Sequence, residues 1–284
     1  DDVELIKLKK YELMNNSMEK SGTMGKWMMR CTSSIQVNFD FTSYQEMEEM
    51  VFIADVLHPV AAYIFSNSPF KNGKPTGKKN ARSLIWENTD NSRCNNLFDH
   101  GIYSPSGLMD SYINYIYNVP GIFQLDRKKT AQKTTQSLGD RVDSLIKNGK
   151  IKNHDLESVL HQIFTNVRIK NLVEVRGADR TPRGYEIAPV AFWTGILTEK
   201  NTRKKILQIL SNWTLDDRNI FNKCSQILDL NQLAPQNKSF GEWIYIFGEI
   251  ALEGLNNRDL NETHLFNNFF DIVKDKGPFG LQNQ

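Results

Sequence analysis

Cysteine is scarce in this 284-residue chain, and its three copies stand far apart, at Cys31, Cys94 and Cys224. They form no CxxC pair and no even-numbered set, which excludes a disulfide framework and makes a reducing, cytoplasmic setting the expectation. No apolar run approaches the roughly 18–20 residues that span a bilayer, so no membrane helix is expected. An excess of one charge is missing too: 35 Lys and Arg face 33 Asp and Glu. That balance excludes a nucleic-acid binder driven by bulk positive charge. The five histidines show no metal-ligand spacing, and no Ser/His/Asp or Cys/His set suggests nucleophilic catalysis. What is present is an ordinary globular mixture, 39% hydrophobic and 24% charged, long enough for one large domain or two small ones.

Strand and helix periods alternate along the chain. Ser34–Phe41 alternates strictly, with Ile35, Val37, Phe39 and Phe41 on one face and Ser34, Gln36, Asn38 and Asp40 on the other. Arg168–Arg176 reads as a second strand. Ile169, Val173 and Val175 share one side, and Arg168, Lys170, Glu174 and Arg176 share the other with Leu172. Ser83–Trp86 is a weaker third strand. Tyr44–Phe65 has helical spacing, interrupted at His58-Pro59. Leu108–Tyr117 and Asp155–Phe164 are shorter helices, and residues 200–273 read as almost wholly helical, with Thr214 and Asp217 as a cap pair. Strands separated by helices point to an α+β fold with an antiparallel sheet. The polar faces of its two strong strands line a ligand cleft or else face solvent, as one side of an antiparallel sheet commonly does.

Several segments bear chemistry. The glycines of Gly73-Lys-Pro-Thr-Gly77-Lys78-Lys79 are too closely spaced for a phosphate-binding P-loop, and Lys79 stands where Ser or Thr is needed. A solvated basic turn is the simpler reading. Arg82, Trp86 and Arg93 pair two guanidinium forks with one indole, a set that can grip an amino-acid carboxylate. Two surface arginines would read the same way. Glu174 and Arg176 lie two apart on one strand face, about 7 Å from each other. The carboxylate suits magnesium, and the guanidinium suits a transferring phosphoryl group. A structural ion pair is the alternative. Gly177 beside them permits close backbone approach.

Taken in order, these segments resemble plant-type glutamate–cysteine ligase. The resemblance is carried by Met28–Phe41, Asn67-Ser-Pro-Phe70 with Gly73 and Gly77, and Arg82…Trp86…Asp90…Arg93. It continues through Tyr112–Pro120, Phe164–Arg168, Glu174-Val-Arg-Gly-Ala-Asp179 and Pro189–Gly195. It implies a glutamine-synthetase-like sheet with helices on its outer face. The whole of 1–284 would be one catalytic domain, with 1–197 as the motif-bearing core and 198–284 as C-terminal helices. It also implies ATP-dependent joining of the glutamate γ-carboxylate to the amine of cysteine, with Mg2+ as cofactor. On this resemblance Glu174 is the metal ligand and Arg176 neighbours the phosphoryl group. Gln36 and Asn38 belong to the metal–nucleotide region. Arg82, Trp86, Arg93, Arg168 and Thr32 belong to the substrate region. A family arginine position falls on Cys31, so Arg30 can serve there only if the backbone bulges. The family's N-terminal glutamates have no counterpart, and the opening at Asp1 reads as mid-chain, so a preceding segment is expected. A different amine acceptor, and an inactive remnant of the same fold, stay open. The partners expected are small molecules (glutamate, cysteine and ATP), with no nucleic acid and no membrane.

Overall fold

The computed structural model describes residues 3–126 and 128–284. Its central sheet has three strands, with Val173–Asp179 between Ser34–Phe39 and Val167–Ile169, both neighbours antiparallel to it. The period-two pattern at 34–39 has the expected result: Val37 and Phe39 are buried while Gln36 and Asn38 are exposed. The strand ends at Phe39, two residues before the end expected. A bulge between Ile35 and Val37 shifts its register against the central strand.

The single strand expected at Arg168–Arg176 is instead a hairpin, Val167–Ile169 and Val173–Asp179, turning at Lys170-Asn171-Leu172. The expected sharing of faces survives because the hairpin pairs Arg168 with Glu174 and Ile169 with Val173. Residues directly opposite each other point to the same side of a sheet. Alternation alone does not reveal a turn that falls at its own mirror point.

Ser83–Trp86 is not a strand. It lies in the helix Ala81–Glu87, where the Asn80 side chain caps the first turn by accepting from the Ser83 N–H. The long helix breaks as expected into Tyr44–Val56 and His58–Ile64, with Pro59 in the first turn of the second piece. Leu108–Asn118 is helical. The helix expected at Asp155–Phe164 spans Asn153–Leu160, and Phe164 belongs to a short strand, Phe164–Thr165, parallel to Cys94–Asn95. Lys200–Leu210, Leu215–Lys223, Phe240–Asn257 and His264–Lys276 fill most of the C-terminal region. Thr214 and Asp217 form the expected reciprocal cap. The basic loop is an exposed hairpin, Phe70–Lys71 against Lys74–Pro75, whose turn residues Asn72 and Gly73 have φ of 53° and 69°.

The apolar sheet face, with Val37, Phe39, Val167, Ile169, Val173 and Val175, joins one buried cluster that also takes in helical residues as far as Val273. A smaller cluster under the other face holds Met14, Met18, Met28, Ile85, Cys94 and Phe164. Among the described residues no helix is long and apolar enough to cross a membrane.

The helix Ala188–Leu197 is buried almost all round and lies against Phe240–Asn257 at backbone distance. A Cβ at Gly254 would overlap the Gly195 carbonyl oxygen, and one at Gly195 would overlap that of Ala251. Helix propensity favours Ala over Gly by about 1 kcal/mol, whereas overpacking a tight contact costs about 1–3 kcal/mol. Gly254→Ala should therefore lower stability by up to about 2 kcal/mol in urea unfolding, since the overlapping atom is backbone and cannot turn aside. A gain in stability would show that these helices separate freely.

Candidate functional site

The polar side of the sheet is organised around one carboxylate. Arg168 donates to Glu174 Oε2 from Nε at 2.7 Å and approaches the same oxygen with Nη2 at 2.6 Å. Arg176 Nη1 donates to that oxygen at 3.0 Å, and Lys170 Nζ donates to Oε1 at 2.9 Å. Burial alone would raise the Glu174 pKa, but Arg168, Lys170 and Arg176 outweigh it and hold the carboxyl at about 2. Burial, then the charge of Arg168, lowers the Arg176 guanidinium to about 10, which leaves it charged at neutral pH. Arg176 also donates to Gln36 Oε1 at 3.3 Å, and its guanidinium lies 5.8 Å from the Trp86 ring and 5.9 Å from the Phe164 ring.

These donors do not fit a magnesium ion at Glu174. A hard dication needs carboxylate or carbonyl oxygens turned toward it. Both oxygens of Glu174 already face cations. Among the described residues no cluster of three or more His, Cys, Asp or Glu could share an ion. Three cations around one carboxylate leave an excess of positive charge, which suits an anion. In this structure Glu174 is the anchor for three cationic side chains.

Beside this cluster lies a cleft of about 540 Å³, counting the open solvent at its mouth, walled by His58, Arg82, Trp86, Phe164, Arg176 and Gly177 with several neighbours. Arg82 and Trp86 come from one helix, four residues apart, so they share a face, and the guanidinium lies 5.4 Å from the indole centroid. Arg82 is only 7% exposed. It donates from Nη2 to the Arg176 carbonyl at 3.0 Å and sits 3.8 Å from Asp179 Oδ1. Asp179 Oδ2 in turn accepts from the Asn67 N–H and the Ser68 hydroxyl, which ties the loop after Ile64 to the end of the central strand. Burial, then the nearby Arg82 charge, pushes His58 down to about 3, so its ring is neutral. Gly177 makes room for that ring, since a Cβ there would overlap it.

The expected substrate trio is divided. Arg82 and Trp86 wall the cleft. Arg93 is 2% exposed and donates to Asp90 Oδ2 at 2.7 Å, to the Pro120 carbonyl at 2.6 Å and to the Gln162 carbonyl at 3.3 Å. Its fork is occupied by groups of the protein, and Arg93 does not line the cleft. Arg168 is likewise engaged, with Glu174 and the Ile163 carbonyl. Thr32 donates its hydroxyl to the Met28 carbonyl just after the helix Gly25–Cys31. Arg30 thus lies in a helix that ends at Cys31 rather than in a bulged strand, and it donates to Asn15 Oδ1 at 2.7 Å. Gln36 and Asn38 share the polar sheet face with Glu174, and Asn38 sits directly opposite it, yet both are exposed and neither walls the cleft. His58, Glu87, Asn95 and Asn222 also line it and were not singled out in the sequence as site residues. The break at His58-Pro59 was the one local signal among them.

Arginines, an indole and a neutral imidazole around one cleft of an α+β protein form a lining whose chemistry suits a small anion. The sequence comparisons narrow this further. The model of glutamate–cysteine ligase family 2 matches residues 1–226, and the chain belongs to that family. Among curated proteins it is similar to the chloroplastic glutamate–cysteine ligase of Solanum lycopersicum, 32% identical over 96% of this chain and 52% of the relative. Chloroplastic glutamate–cysteine ligase A of Oryza sativa subsp. indica is 36% identical over 78% of this chain and 45% of its own length. The Arabidopsis thaliana enzyme is 31% identical over 96% and 52%. The chain spans about half the length of these relatives.

The Glu174 cluster makes a prediction for acid stability. A carboxyl lowered from 4.5 to about 2 on folding contributes stability that is fully present above pH 4.5 and lost as pH falls to about 2. Its size is about 3 kcal/mol at 1.36 kcal/mol for each pKa unit. Glu174→Gln should remove this contribution at pH 7 and flatten the acid limb of stability between those two pH values, as measured by urea unfolding. An acid limb as steep as that of the parent would show that the three cations do not hold the carboxylate.

Proposed function

We propose that this chain carries the substrate cleft and the phosphoryl-facing wall of an ATP-dependent ligase that joins the glutamate γ-carboxylate to the amine of cysteine, the first step of glutathione synthesis. The observation that carries the reading is the placing of Arg82, with a free Nη1, and Arg176, with its surplus of neighbouring positive charge, on one cleft. Membership of the glutamate–cysteine ligase family supports it. In this reading the sheet is of the glutamine-synthetase type. One catalytic domain is supported by an apolar core running from Val37 to Val273.

A carboxylate does not acylate an amine without activation. Its oxygen attacks the γ-phosphorus of ATP, and ADP leaves. The amine then attacks the acyl carbon, phosphate leaves and the amine proton passes to solvent. Both steps crowd negative charge, which Arg176 is placed to neutralise, while Glu174 fixes its orientation through the 3.0 Å hydrogen bond. Arg82 and Trp86 hold the amino acid. A second, wider cleft of about 1020 Å³, open solvent included, has Lys10, Lys129, His154, His161 and Arg168 on its walls against one acid, Glu157, and shares Phe164 with the first. Its size and basic lining suit the polyphosphate and base of ATP. Magnesium supplies charge screening in such reactions, and the residues around Glu174 give it no ligand set. The relatives named above are chloroplastic enzymes, so they lend no support to the cytoplasmic setting expected from cysteine usage.

The test is ADP release by the full chain with ATP, glutamate and a panel of amines. Release should require glutamate and rise most with cysteine. Arg82→Ala should raise the glutamate KM by about tenfold or more, while Arg176→Lys should lower kcat more than KM. ADP release indifferent to glutamate would overturn the substrate, and a stronger response to another amine would reassign the acceptor.

A further inference from the structure

Among the described residues, six buried side-chain polar atoms lack a hydrogen-bond partner. Four of them, Arg82 Nη1, Trp86 Nε1, Asn95 Oδ1 and Asn222 Nδ2, belong to residues that wall the one cleft described above. Leaving a buried polar group unpaired is unfavourable, and native interiors rarely tolerate it. Their concentration marks a surface organised for a polar ligand.

The chemistry of the four atoms limits that ligand. Arg82, Trp86 and Asn222 offer N–H donors, one of them cationic, which together suit a carboxylate. Asn95 offers an acceptor, which a carboxylate cannot satisfy and an ammonium can. Asn95 is held in place by its backbone. Its strand pairs with Phe164–Thr165, and its carbonyl accepts from the Asn166 N–H at 2.8 Å. Its φ of 76° lies in the left-handed region that few residues other than Gly and Asn adopt. Asn222 arrives from the helix Leu215–Lys223, far along the chain. Glu87, whose Oε2 accepts from Gln226 at 3.0 Å, lines the same cleft and supplies an acid to balance a cation.

We propose that Asn95 and Asn222 read the two charged ends of an α-amino acid. Asn222 joins Arg82 and Trp86 on the α-carboxylate, and Asn95 accepts from the α-ammonium. The inference rests on the reading of this cleft as the amino-acid site and adds to it a requirement for a zwitterion, together with a binding role for the C-terminal helices.

Calorimetry of the full chain with three probes tests it: L-glutamate, glutarate, which lacks the ammonium, and 4-aminobutanoate, which lacks the α-carboxylate. Glycine suits the Asn95 backbone, so Asn95→Gly removes the side chain without strain. It should weaken glutamate binding about tenfold and leave glutarate within about twofold, the scale of one hydrogen bond to a charged group. Asn95→Asp, which keeps an acceptor, should retain the preference for glutamate. Asn222→Ala should weaken glutamate and glutarate alike and spare 4-aminobutanoate. A glutamate-to-glutarate ratio unchanged in Asn95→Gly, in a protein that binds glutamate and loses it in Arg82→Ala, would overturn the inference and leave the amino-acid reading standing. So would loss of the preference in Asn95→Asp. No glutamate binding by the unmodified chain would end both.

Discussion

The clamping of the Glu174 carboxylate by Arg168, Lys170 and Arg176 is the constraint on which the rest of the site depends. A carboxylate so deeply buried survives as an ion only because cations reach it from both arms of the hairpin and from its turn. In holding it they fix themselves. Arg168 is locked to the Ile163 carbonyl, and Arg176 is drawn between the Trp86 and Phe164 rings. The sheet therefore presents a surplus of positive charge at a defined place, with side chains that need little reorganisation to meet an anion.

From that anchor the order spreads by short links. The Arg176 carbonyl accepts from Arg82, Arg82 lies near Asp179, and Asp179 holds the chain at Asn67 and Ser68. Gly177 lets His58 come against the strand, and the low proton affinity of the buried imidazole keeps a further positive charge out of the cleft. Each contact is modest alone. Together they connect the strand, the helix carrying Arg82 and the loop at Asn67, so a change at one would be felt in the others.

Much of this was legible in the residues. Alternation at 34–39 gave both the buried and the exposed face, and Thr214 with Asp217 gave a helix start, because these depend on neighbours in sequence. The side-sharing of Arg168, Glu174 and Arg176 was readable although the turn between them was not, since pairing about Asn171 preserves the alternation. Ser83–Trp86 misled because four residues with two apolar ones fit either period, and the cap at Asn80 settles it as helix.

The sequence alone thus determined the faces of the two strong strands, the helix start at Thr214 and the family to which the chain belongs. It did not determine which arginine is free. Arg82 and Arg93 look alike in sequence, eleven residues apart. Arg93 is occupied by carbonyls 27 and 69 residues away, while Arg82 keeps one nitrogen unpaired over the cleft. A guanidinium binds whatever acceptors the fold brings within about 3 Å. That distance is decided by packing between remote segments, and no local pattern of residues encodes it.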